Sequence, residues 1–224
     1  GEVLAITGLQ GSGRDELADA LFGVIPCKGK LSFGGQTLES AKSIQFHMGH
    51  GMALVPRMRK ERGIHDDLSI LDNMSMAFLN TKWKKLLISG KAERERFVRQ
   101  QKALQIKAGN PADPITSLSG GNQQKVILGK WLETDAEVLL FDNPTQGIDV
   151  GTKFEIYHLI LELAKQGKAI VVFSSEFPEI YKVADSCMVL YKGRVNAVMG
   201  REEMTEKNVM YYSTGANVEG AKNA

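Results

Sequence analysis

The sequence predicts an α/β fold: a largely parallel sheet, an antiparallel edge and an inserted helical subdomain. Three observations predict it. Val138-Leu139-Leu140-Phe141-Asp142 is a short apolar run ending in a carboxylate, the composition of a strand buried on both faces of a parallel sheet. Gly8, Gly11 and Gly13 fall between an apolar strand, Val3 to Ile6, and a helical stretch, Glu16 to Phe22, the spacing of a phosphate-binding loop. From about Asp66 to Thr116 the strand character is lost and the residues read as helices.

Taken in order, the chain enters on Gly1-Glu2-Val3-Leu4-Ala5-Ile6, directly in a strand, and is expected to be cut from something longer. Cys27 to Gln36 alternates apolar pieces with glycines, including Gly34-Gly35, which reads as an antiparallel hairpin forming the sheet edge. Gly51 to Val55 is a further strand. It leads into Pro56 to Gly63, where Arg57, Arg59, Lys60 and Arg62 form either a solvated loop or a docking surface. In the helical stretch Leu71, Met74, Met76, Phe78 and Leu79 make an apolar patch, and Lys91 to Leu104 is a charged helix with Glu95 and Arg99 four apart. A core of 1–65 and 117–213 would then flank a helical subdomain of 66–116.

After Leu118-Ser-Gly-Gly-Asn-Gln-Gln-Lys125 the run Val126 to Leu132 continues a helix, and Val138 to Asp142 follows as a strand. Asp149 caps a helix from Lys153 to Lys165; Ala169 to Phe173 is a strand; Ser186 to Tyr191 is another, with a turn at Lys192-Gly193 and a return strand. Beyond Thr214 the small polar residues of 214–224 are expected to be disordered.

Composition narrows the function. At 224 residues and 43% hydrophobic content the chain can bury one full core. A net charge of +2 supplies no global field for nucleic acid. Cys27 and Cys187 lack metal-ligand spacing and read as buried thiols, and His47, His50, His65 and His158 as surface or packing residues. No apolar run is long enough to span a bilayer.

The chemistry concentrates in three places. Ser119, Gly120 and Gly121 before a helix leave backbone N–H groups facing a small anion, although Ser-Gly-Gly is also an ordinary loop and cap. Gly8, Gln10, Gly11, Ser12, Gly13, Arg14 and Asp15 form the loop, but Arg14 stands where lysine would reach phosphates and Asp15 where a hydroxyl would ligate magnesium. Asp15 could ligate a metal, repel phosphates, or simply suit the first turn of a helix. The last place is Asp142 itself.

In that order, loop, LSGGNQ and strand with aspartate, the chain resembles the nucleotide-binding domain of ABC-type ATPases, which share a RecA-like P-loop NTPase core. GLQGSGRDEL, LSGGNQQK, PTQGIDVG and SSEFPEI together resemble the second ATP-binding half of bacterial importers of ribose, galactose, xylose or arabinose. The resemblance covers residues 1 to about 214. It implies ATP and Mg2+ as ligands, Asp142 as the metal residue, and Arg57 at a position that is commonly glutamine and touches the nucleotide site. It implies that Ser119, Gly120, Gly121 and Gln123 complete a site on a partner domain, the first half of the same polypeptide, and that Asp149 lies between the two sites. Asn143 stands where a glutamate polarises water and Ser175 where a histidine contacts the γ-phosphate, so no catalytic residue is assigned. The adenine platform is expected upstream.

The implied partners are transmembrane permease subunits and, indirectly, a periplasmic or lipid-anchored sugar-binding protein, and the implied place is the cytoplasmic face of the membrane. A nucleoside or other small-solute importer, or a module that regulates without hydrolysis, remains the alternative. The long coiled-coil or basic insertions of nucleic-acid-acting relatives are absent between Gly8 and Asp142.

Overall fold

The computed structural model describes residues 1–33, 36–39, 43–81 and 89–216. Six strands form the main sheet: β1 (Val3–Thr7), β4 (Met52–Val55), β5 (Val138–Asp142), β6 (Ala169–Phe173), β7 (Ser186–Tyr191) and β8 (Arg194–Gly200), in the order β4-β5-β6-β1-β7-β8. The first five in that order run parallel, and β8 pairs antiparallel with β7. β1 lies centrally, with Val3 opposite Ile170 on one side and Leu4 opposite Ser186 on the other. Continuous apolar runs suit that position, because helices cover a parallel sheet on both faces. Ala5, Leu139, Val172 and Phe173 are completely buried.

The antiparallel edge is therefore the return strand β8. The expected hairpin exists, but as a separate two-stranded sheet, β2 (Lys30–Phe33) with β3 (Gln36–Glu39), starting and ending three residues later than expected. Its Gly34-Gly35 pair lies outside the described residues.

Between β4 and residue 119 lie a single π-turn, Arg59–Gly63, and the helices α3 (Ile70–Thr81) and α4 (Gly90–Ala103); α1 (Arg14–Leu21) and α2 (Ile44–Gly49) precede them. Of the expected apolar patch Met74 is buried, while Leu71, Met76, Phe78 and Leu79 are half-buried. The charged face of α4 works differently from the expected Glu95–Arg99 pair. Arg96 and Arg99 both reach Glu133, at 3.4 and 3.8 Å, at the end of α5 (Gly120–Leu132), and Arg96 stacks 4.0 Å above the Phe78 ring. A cation with a choice between an exposed neighbour and a buried acid gains more from the latter.

The remaining helices are α6 (Val150–Lys165), α7 (Phe177–Val183) and α8 (Glu206–Ser213). Asp149 caps α6 as expected, its carboxylate accepting from Thr152 N at 2.9 Å. Residues 214–216 are tied down, since Asn196 Nδ2 donates to Tyr212 O and Ala216 O; the rest of the expected disordered tail, 217–224, lies outside the described residues. Cys187 is buried and its thiol is pushed up to about 12 by desolvation, whereas Cys27 is only half-buried.

Candidate nucleotide site

The loop between β1 and α1 encloses a cavity of about 300 Å³ lined by residues 9–16. Its shape depends on glycine where side chains would collide. A Cβ on Gly8 would lie 2.5 Å from Leu190 O and from Ser12 Oγ, and Gly13 caps α1 at φ +94°, a left-handed conformation that costs other residues energy. Helix α1 starts at Arg14, two residues earlier than expected, with no side chain capping it. Its first N–H groups therefore have no partner within the helix or from a cap.

Two polar atoms at the loop are buried without a partner: Ser12 Oγ and Arg14 Nη1. A buried polar group without a hydrogen bond costs roughly 1–3 kcal/mol, and both atoms belong to residues that line the cavity. Arg14 donates its other nitrogens, Nε and Nη2, to Asp15 Oδ1 at 3.0 and 2.8 Å. The loop thus fits a phosphate group.

The metal position is different. Asp142 is completely buried at the end of β5, and its Oδ2 accepts from Arg57 Nη1 at 2.7 Å. Arg57 also donates to Asp15 O and to Asp19 Oδ2, both at 3.3 Å, and Arg62 pairs with Asp19. Asn143 Nδ2 donates to Asp142 Oδ1 at 3.3 Å. Burial pushes the Asp142 carboxyl above its usual range and the guanidinium holds part of that rise back; burial works against the Arg57 charge, but Asp142, Asp15 and Asp19 outweigh it and hold it above its ordinary value. Both oxygens of Asp142 have nitrogen donors, so the residues present do not fit the magnesium ion that the sequence places there. Among the described residues no group of three or more His, Cys, Asp or Glu side chains is arranged to hold a metal.

The LSGGNQ segment lies at the start of α5. Ser119 is its exposed cap, accepting from Asn122 N and Nδ2 at 3.5 and 2.9 Å. Gly120 and Gly121 are packing positions: a Cβ on Gly120 would meet Arg59 Nη2, and one on Gly121 the Thr152 side chain of α6. Gly121→Ala is accordingly expected to destabilise the fold by about 1–3 kcal/mol by overpacking, read as a shift in urea midpoint. Gln123 is turned inward, accepting from Arg59 Nε at 3.2 Å and donating to Leu118 O at 3.2 Å.

The role of Arg59 is not legible in the sequence. Beyond Gln123 it donates to Gln146 O at 3.2 Å and Gly147 O at 3.4 Å, joining α5 to the loop that holds Asp149. Of the residues expected to form a solvated loop or a docking surface, Arg57, Arg59 and Arg62 are held by internal contacts and Lys60 is exposed. Ser175 is exposed; it is the neighbouring Ser174 Oγ that accepts from Glu176 N at 3.0 Å.

Residues 1–146 match the family model described as "ABC transporter". The chain belongs to the ABC transporter family. It is 40% identical over 97% of its length to the ribose import ATP-binding protein RbsA of Oceanobacillus iheyensis, covering 44% of that protein. It is 42% identical over 96% of its length to ribose import ATP-binding protein RbsA 1 of Streptomyces coelicolor, covering 43% of it. The chain thus spans less than half the length of these relatives. Its fold matches a nucleotide-free ATP-binding cassette from an ABC transporter, with TM-score 0.79 at 20% identity over 93% of this chain and 84% of that one. It also matches a dimeric bacterial ABC transporter cassette, with TM-score 0.75 at 20% identity over 89% of this chain and 85% of that one. The RecA-like P-loop fold read from the motifs is the fold found. No helix among the described residues is long and apolar enough to cross a membrane.

Proposed function

We propose that this chain is the second ATP-binding half of an ABC importer for a monosaccharide, with a degenerate site of its own and an intact LSGGNQ segment that completes the site of a partner ATPase domain. The observation that carries the reading is the asymmetry between its two ends. Ser119 stands exposed at an α5 N-terminus, ready for an anion held by another domain. At its own loop Asn143 faces Asp142 and cannot accept a proton, so it cannot serve water as a general base.

On this reading residues 66–116 form the helical subdomain against a core of 1–65 and 117–213. Closing and opening of the ATPase pair moves permease subunits at the cytoplasmic face of the membrane, supplied by an outer sugar-binding protein. The relatives named for ribose import support the solute class.

Ser119→Asp tests the reading in the protein that carries this chain beside a second ATPase domain. Aspartate keeps the helix cap but puts a negative charge where the partner's phosphate would sit. Hydrolysis by the pair is expected to fall about 100-fold or more, with the melting temperature unchanged, and sugar uptake to fall with it. Unchanged hydrolysis, or rapid hydrolysis by this chain alone, sinks the proposal.

A further inference from the structure

The guanidinium of Arg57 sits among three acids. Its Nη1 donates to Asp142 Oδ2 at 2.7 Å and lies 4.0 Å from Asp15 Oδ1, while Nη2 meets Asp19 Oδ2 at 3.3 Å. Arg14 and Arg62 complete the set, pairing with Asp15 and Asp19. Three arginines balance three aspartates, so the cluster neutralises its own charge without a metal. A magnesium ion would require ligand oxygens at roughly 2.0–2.1 Å in octahedral array, and the Asp142 oxygens are already held by Arg57 and Asn143. The loop nevertheless keeps its marks of an anion site: the buried, unpartnered Ser12 Oγ and Arg14 Nη1, both on residues that line the 300 Å³ cavity.

We propose that the phosphate loop of this chain binds a polyphosphate without a divalent cation, the Arg57 guanidinium taking the cation's place between Asp142 and the loop. The proposal rests on the reading of that loop as a nucleotide site. It gives the site a chemical character of its own: it holds the phosphate chain by fixed, charge-assisted N–H donors, and it offers no Lewis acid to polarise a phosphoryl oxygen. Such a site retains a nucleotide and leaves it intact. Because the positive charge is covalently part of the chain, occupancy does not follow the free magnesium concentration.

Calorimetric titration with inorganic tripolyphosphate and with ATP, each in EDTA and in excess magnesium, tests it. Tripolyphosphate needs no adenine platform. Affinities with and without magnesium are expected to agree within about threefold, a difference under 1 kcal/mol, and manganese alone, followed by its paramagnetic resonance, is expected not to bind. Arg57→Gln is expected to lose about tenfold or more in EDTA and to regain binding with magnesium. Arg57→Lys, which keeps the charge, is expected to retain binding in EDTA and guards against simple loss of fold. Magnesium-dependent binding by the unaltered chain overturns the inference and leaves the nucleotide site standing. Absence of binding under every condition overturns both.

Discussion

Asp142→Ala is expected to destabilise the fold by about 3 kcal/mol, the lower end of the cost of breaking a buried ion pair by removing one partner. The carboxylate is completely buried and the Arg57 side chain is 18% exposed, so the guanidinium loses its shortest partner where water can compensate only partly. It keeps Asp19 at 3.3 Å, which places the loss at the lower end. In a domain of this size the melting temperature falls by roughly 6–12 °C. Asp142→Ala combined with Arg57→Met removes both charges and is expected to recover much of the loss, because a matched apolar pair carries no desolvation cost. If Asp142→Ala melts with the unaltered protein, the pair contributes nothing and the arrangement of charges at the loop is wrong.

Lys130 governs the second large effect, a dependence on alkaline pH. Its ammonium is buried in α5 with one hydrogen bond, to Gly63 O at 2.6 Å, and desolvation lowers its pKa from 10.5 to about 8. Below pH 8 the lysine is charged in both states and the folded protein carries the full cost of the buried charge. Between about pH 8 and 10.5 the unfolded chain binds a proton that the folded chain does not, so this group makes stability rise with pH. The rise amounts to about 3 kcal/mol across the window. Against Lys130→Met, which has no such titration, the unaltered protein should gain by that amount between pH 7.5 and 10.5 in urea unfolding. At pH 7 the methionine variant should be the more stable by about 1 kcal/mol, since relief of the charge is partly offset by the orphaned Gly63 carbonyl. A gap constant with pH would show that Lys130 remains charged in the fold.

The strands were readable because each is an apolar run with a sharp end: Val3 to Thr7, Met52 to Val55 and Val138 to Asp142 need no context beyond their own composition. The cap at Asp149 and the start of α5 at Ser119 were readable for the same local reason. The exchange of edges between the hairpin and β8 was not, because alternation identifies two strands that pair and says nothing of which sheet receives them. The departures at Arg14, Asp15, Asn143 and Ser175 were visible against the family's pattern. What those residues do instead was not visible. Arg57 and Asp142 lie 85 positions apart and Arg59 and Gln146 lie 87 apart, and a run of arginines in a loop carries no signal of inward direction. A guide was available in Asp142 itself, since a buried carboxylate without metal chemistry around it requires a cation from somewhere else in the chain.

The central place of β1 also sets an order of events in folding. Its two neighbours, β6 and β7, are supplied by residues 169–173 and 186–191, so the middle of the sheet stays open until those residues are present. The loop that follows β1 inherits the delay, for Gly193 N donates to Ser12 O at 2.8 Å and Leu190 O packs against Gly8. Contacts of such sequence separation close slowly, because the loop entropy is lost before the contact energy is gained. During synthesis β1 must therefore wait, exposed or chaperoned, for β6 and β7, and the phosphate loop cannot take its final shape before they arrive.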